Sequence, residues 1–212
     1  TAYGVYRGIE SAVRFKLGRQ NMQGIRVAVQ GVGKVGYELA KLLIEAGAEV
    51  CAADIYTSNI ERAEKELGVT VVEPDAILQQ PVDIVAPCAM GAVINEQTIP
   101  QLKASIVAGS ANNQLAESKD GERLAAADIL YVPDYVLNSG GLIKVYYQYF
   151  FGNDSFSEQK RKVVSHIDQM TQKTLPRIFT QAKELGQSTS SIADKLARER
   201  FMGNAMEQTD AA

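Results

Sequence analysis

Residues 24–36, Gly24-Ile25-Arg26-Val27-Ala28-Val29-Gln30-Gly31-Val32-Gly33-Lys34-Val35-Gly36, decide how this chain folds. The apolar run from Ile25 to Gln30 is too short for a helix and rich in β-branched residues, so it reads as a buried parallel strand. Directly after it comes a complete G-x-G-x-x-G, and residues 35–46 continue at helical spacing. Each glycine has a mechanical reason. Gly31 permits the tight strand-to-helix turn, Gly33 lets the backbone approach a pyrophosphate, and Gly36 lets helix and strand pack closely. The amides that open the helix then face phosphate charge. Asp54 ends the next strand, about 20 residues on, where a carboxylate can accept hydrogen bonds from a ribose diol and would repel a 2′-phosphate. No Arg stands at 55–58, so NAD is preferred over NADP. Gly31, Val32, Gly33, Lys34, Val35 and Gly36, with Asp54 and its neighbour Ile55, are the candidate cofactor contacts. Three glycines in isolation more often make a plain turn. Here a preceding strand, a following helix, an acidic residue and a repeated β/α order occur together.

That repeated order extends in both directions. Upstream, Val5, Ile9, Ala12, Val13 and Leu17 define an amphipathic helix over 2–17, stopped by Gly18. Downstream, the helix 35–46 ends at Gly47 and Glu49 to Asp54 is a strand. A helix over 58–67 and strands at 69–72, 82–87 and 104–109 follow. A helix near 122–127 and a strand at 129–132 complete the alternation. Short apolar strands separated by helices predict an α/β fold, a Rossmann-like doubly wound parallel sheet covered on both faces. After Asn138 only helical patterns remain, about 140–151, 156–185 and 188–201. The reading is one domain over 1–202, made of a leading helix (1–18), a core (24–138) and C-terminal helices (139–202). A polar, frayed tail is expected over 203–212.

The composition narrows the chemistry. The chain has 212 residues, with 22 Lys plus Arg against 25 Asp plus Glu, and 46% are hydrophobic. This suits one large domain and leaves two cramped. A net charge of −3 provides no basic face for a phosphate backbone, so no nucleic-acid partner is expected. No apolar run approaches the roughly 20 residues of a membrane helix, and no signal peptide is recognised. Cys51 and Cys88 sit in strand-like surroundings without a metal-ligand cluster, which suits a reducing cytoplasm and no metal. With one His, most His-based catalytic or zinc schemes are nearly excluded. The first residue is Thr1, so a processed protein or an excised piece is considered.

Several further segments resemble the cofactor domain of the glutamate/leucine/phenylalanine/valine dehydrogenases, most closely the leucine dehydrogenase branch. They are Thr1-Ala2-Tyr3-Gly4-Val5, Val27 to Gly33, Ala86-Pro87-Cys88-Ala89, Ala108-Gly109-Ser110-Ala111-Asn112-Asn113-Gln114-Leu115 and Pro133-Asp134-Tyr135, with Asn138 and Gly140-Gly141 extending the last. The resemblance implies reversible oxidative deamination of an L-amino acid to a 2-oxo acid and ammonia with NAD. It places Thr1, Cys88, Ala89 and Asn112 around the nicotinamide and its ribose, with Asn112 also near the substrate's amino group. A carboxamide can both donate and accept there, although a paired Asn after a strand is otherwise an ordinary turn.

Leu142 and Val145 match positions that line the side-chain pocket in the leucine-specific branch. Their spacing puts them on one helix face, which without the resemblance would read as core. Lys144 stands where that branch usually has Asn, and Tyr146-Tyr147-Gln148 replaces a small, acidic stretch. Branched-chain, valine and aromatic substrates therefore stay open. The family's catalytic Lys lies in an N-terminal substrate domain, expected to precede Thr1, so no catalytic residue is assigned in this chain. Lys34 and Lys144 read as surface lysines and His166 as incidental. The expected partners are an amino-acid substrate, that N-terminal domain and, at full length, further copies of the chain. A stand-alone dinucleotide-binding regulatory module is the alternative, and an NADP-linked glutamate dehydrogenase is disfavoured by Asp54.

Overall fold

The computed structural model describes residues 1–209, the side chains of 203–209 excepted. Helix α1 (Ala2–Leu17) is followed by β1 (Arg26–Gln30), α2 (Lys34–Glu45), β2 (Glu49–Ala53), α3 (Thr57–Leu67), β3 (Thr70–Val71), β4 (Ile84–Pro87) and β5 (Ile106–Val107). Then come α4 (Lys119–Ala126), β6 (Leu130–Tyr131), α5 (Asp134–Leu137), α6 (Gly140–Phe150), α7 (Phe156–Gln169), α8 (Leu175–Leu185) and α9 (Thr189–Thr209). The strands form one sheet in the order β3-β2-β1-β4-β5-β6, and every pair is parallel. This is the doubly wound arrangement expected from the alternation, with its switch point between β1 and β4.

Both faces of the sheet are covered, which is why the central strands are apolar throughout instead of alternating with polar residues. Val27, Val29, Ile84, Ala86, Ile106 and Ala108 join Val5 and Ile9 of α1, Leu39 and Leu43 of α2 and Phe179 of α8 in the larger core. On the opposite face, Ala28 and Val85 meet Ile77 from a 3-10 turn over Pro74–Gln79. Val107 and Tyr131 there meet Leu124 of α4. α1 is tied to α7 by Arg7 Nε and the Tyr3 hydroxyl, which donate to Asp168 Oδ1 at 2.8 and 3.0 Å.

The structure differs from the sequence pattern in three places. β5 and β6 span two residues each, shorter than their apolar runs. Pairing bonds nonetheless run one residue further, from Ala108 N–H to Val85 O at 3.0 Å and from Val132 N–H to Val107 O at 2.9 Å, and at Gly109 the backbone passes so close to β4 that a Cβ would lie 2.0 Å from the Pro87 carbonyl oxygen. The helical run 156–185 is interrupted by a π-helical turn over Met170–Thr174. Pro176, in the first turn of α8, brings no N–H to the ladder there. Helix α9 runs to Thr209, so the tail expected to fray enters it, and 210–212 lie outside the described residues.

Candidate functional site

The carboxyl ends of β1, β2, β4 and β5 open on the same edge of the sheet, and the loops leaving them meet at the switch point, where ligands of such sheets bind. The turn after β1 is built by its glycines. Gly31 adopts φ +91°, and its N–H donates to the Ala53 carbonyl at 2.7 Å. A Cβ on Gly31 would come within 2.6 Å of Ala89 Cβ. Gly36 is tighter still, because a Cβ there would sit 1.9 Å from the Gly31 carbonyl oxygen. Gly33 is the opposite case. It caps α2 in an extended conformation, and a Cβ would meet nothing within 4 Å. The first-turn amides of α2 (Lys34, Val35 and Gly36) lack partners within the helix, as any helix start requires. Lys34 is exposed and Val35 half-buried.

Asp54 follows β2 and holds this turn. Its Oδ2 accepts from Val32 N–H at 2.8 Å and Asn59 Nδ2 at 3.2 Å, and its Oδ1 accepts from Tyr56 N–H at 2.9 Å. A carboxylate has about four acceptor positions, so with three filled one remains, on Oδ1, for a ribose hydroxyl. Ile55 and Tyr56 flank it, 77% and 65% exposed.

On the other side of the switch point, Cys88 N–H donates to the Gln30 carbonyl at 2.7 Å, and Ala89 covers Gly31. Burial pushes the Cys88 thiol up, against hydrogen bonds from the Ser110 side chain and backbone. Gly91 brings the 88–93 loop against the Asn112 turn, where a Cβ would lie 2.5 Å from the Asn112 carbonyl oxygen. Asn112 and Asn113 are exposed, and Asn112 Oδ1 accepts from Asn138 Nδ2 at 2.6 Å. Asn138 leads into α6, whose first glycines abut Thr1: a Cβ on Gly141 would lie 3.3 Å from Thr1 Oγ1. Leu142 and Val145 on α6 are 75% and 58% exposed while Ile143 between them is 8% exposed, so the first two do not pack in the core.

The structure thus brings Gly31–Gly36, Asp54, Ala89 and Cys88 together at the switch point. Asn112 is linked through Asn138 to α6, and Thr1 lies at that helix's start. His166 is exposed on α7, with Nδ1 3.5 Å from the Tyr147 hydroxyl. Among the described residues no three His, Cys, Asp or Glu side chains are grouped to hold a metal, and no helix is long and apolar enough to cross a membrane. Sequence reasoning assigned no role to Ser110, Asn138, Asn59 or Gln114. Gln114 stands in a polar run, Asn112-Asn113-Gln114, in which nothing marks the third residue as fully buried.

With this geometry in view, the likeness to known proteins is specific. The family model for Glutamate/Leucine/Phenylalanine/Valine dehydrogenase matches residues 1–60 and 55–209. A leucine dehydrogenase of Bacillus cereus is 41% identical over 201 residues, covering 95% of this chain and 53% of that protein. An L-tryptophan dehydrogenase of Nostoc punctiforme is 40% identical over 212 residues, 100% of this chain and 58% of that protein. The crystal structure of the Nostoc punctiforme L-tryptophan dehydrogenase superposes with a TM-score of 0.85, at 40% identity over 95% of this chain and 58% of its own. The chain spans about half the length of the curated relatives it matches. On its sequence and its fold, the chain belongs to the glutamate/leucine/phenylalanine/valine dehydrogenase family.

Proposed function

We propose that this chain is the NAD-binding domain of an L-amino-acid dehydrogenase that reversibly deaminates a branched-chain amino acid such as leucine to a 2-oxo acid and ammonia. The observation that carries this reading is the contrast between Gly33, open on its outer side, and Gly36, closed against Gly31. A turn held only for packing has no need of the first. When bound, NAD would accept a hydride from the substrate's α-carbon. The amides of Lys34, Val35 and Gly36 bind the pyrophosphate, Asp54 accepts from the adenosine ribose diol, and Ile55 covers the adenine side. Cys88, Ala89 and Thr1 surround the nicotinamide end. The Asn112 carboxamide serves a ribose hydroxyl and the substrate's amino group, with its orientation set by Asn138.

No group of this chain takes the amine proton or activates water in this reading. Those roles fall to a Lys of lowered pKa in a substrate domain outside residues 1–212. Leu142 and Val145, exposed on α6, line the substrate side chain. The likeness to an L-tryptophan dehydrogenase over the whole chain supports a second reading, an aromatic substrate at the same site.

Titration calorimetry with NAD on wild type and Gly33→Val tests the site. Binding by wild type and none by the variant is expected, and equal affinities refute it. The chain alone, given NAD and leucine or tryptophan, is expected to show no turnover above background. Clear turnover would place the catalytic base within it.

A further inference from the structure

Gln114 is fully buried at the end of the loop that follows β5. Its Nε2 donates to the carbonyls of Gly109 at 2.9 Å and Ala111 at 3.1 Å. Both partners are acceptors, so the orientation of the amide is forced: the NH2 group faces them and Oε1 points away. That Oε1 is buried without a hydrogen-bond partner. The two N–H donors are what this side chain contributes to the loop. They bridge the turn that presents Asn112. Ala111 N–H donates to Pro87 O at 3.0 Å, and the next two residues carry the exposed carboxamides. The later end of the turn is fastened too, since Ala92 N–H donates to Asn113 O at 2.7 Å and Ile94 N–H to Gln114 O at 3.0 Å. Between those anchors the Gln114 amide holds the Gly109 and Ala111 carbonyls, and Asn138 Nδ2 reaches the Ser110 carbonyl at the longer distance of 3.5 Å.

We infer that Gln114 is a positioning residue, touching neither cofactor nor substrate, whose carboxamide braces the Gly109–Ala111 backbone and thereby sets Asn112 at the nicotinamide end. This rests on the proposed NAD site. Asn138 orients the Asn112 side chain from outside the loop. Gln114 orients its backbone from within.

The test compares NAD affinity in wild type, Gln114→Met, Asn112→Ala and the double variant, using the whole chain. Methionine keeps the shape but leaves the Gly109 and Ala111 carbonyls without their donor, so the melt should fall by a few degrees, and affinity is read well below it, where the variant is folded. Gln114→Met is expected to weaken NAD binding about tenfold, the order of one lost hydrogen bond at the ligand. The double variant should bind no more weakly than Asn112→Ala alone, because Gln114 acts through Asn112. Gln114→Glu gives a second readout. Burial beside two carbonyl oxygens favours its protonated form, whose single O–H can donate to one of them, so NAD binding should be poor at alkaline pH, where the acid ionises, and recover on acidification. Gln114→Met should show no such recovery.

Wild-type affinity in Gln114→Met overturns the inference, as does a double variant weakened by the full additional factor. A flat pH profile in Gln114→Glu does the same. Absence of NAD binding by wild type would instead overturn the proposed site itself.

Discussion

Alanine at Gly36 should destabilise the fold, whereas alanine three residues earlier should not. A Cβ on Gly36 lies 1.9 Å from the Gly31 carbonyl oxygen and 3.2 Å from Cys88 Cβ. Carbon and carbonyl oxygen rest at roughly 3.3 Å or more, so the start of α2 must move off the turn by roughly 1.4 Å. Overpacking costs about 1–3 kcal/mol, and the upper figure applies where the obstacle is backbone that no rotamer change can move. Alanine's helix propensity returns about 1 kcal/mol. The net loss is about 2 kcal/mol, which in a domain of this size lowers the melting temperature by about 4–8 °C. Gly33→Ala, with nothing within 4 Å of the new methyl and no positive φ, should stay within about 0.5 kcal/mol of wild type. Thermal melts followed by circular dichroism read both. Coincident melts for Gly36→Ala and wild type, or a less stable Gly33→Ala, would show that the two glycines do not divide packing and ligand approach between them.

Other outcomes follow from the same coordinates. Asp54→Ala strands the buried Val32 N–H and should cost about 2 kcal/mol in urea unfolding; the variant should also lose discrimination between NAD and NADP in calorimetry. Ile143→Ala should cost about 2–4 kcal/mol, while Leu142→Ala and Val145→Ala, exposed on the same helix, should stay within about 0.5 kcal/mol by the same unfolding assay. In an enzyme that includes the substrate domain, those two exposed changes should alter amino-acid preference. Burial, and then the Glu10 carboxylate, raise the Tyr6 phenol from 10.0 to about 12. The fold favours the neutral phenol, so its contribution is complete below pH 10 and is lost as the pH climbs through about 12. Melts across that window should show a flatter alkaline limb in Tyr6→Phe, and parallel limbs would remove Tyr6 from the account.

The first strand-turn-helix of the fold was legible because its rules are local. A short apolar run rich in β-branched residues, Ile25 to Val29, favours a strand, and the glycine spacing reads as the tight turn once a helix and an acidic strand end follow it. Parallel pairing follows once each helix returns the chain to the same edge, while the order of the strands is read from the structure. Elements shaped by distant backbone were not legible. β5 and β6 span two residues each, and the close approach of Gly109 to Pro87 is a contact across 22 residues that apolar patterning does not encode. The break in the long C-terminal helical run had a local signal in Pro176, but periodicity on both sides masked it.

The candidate site divides along the same line. Asp54 could be identified from spacing because the strand it ends has a fixed length and pairs in register with β1, Gln30 opposite Ala53. Asn112 could be placed only through resemblance, because its setting depends on Asn138, 26 residues later, and on Gly91 in a different loop. Leu142 and Val145 show the remaining gap. Three-residue spacing puts them on one side of α6, and their apolar character suggested the inward side as readily as a pocket. Ile143 is what resolves it. As the buried residue between them, it fixes the inward face of α6 and leaves the other two directed outward. An apolar pair held in solvent on a helix that begins beside Thr1 and Asn138 is better suited to contact a substrate than to stabilise the core.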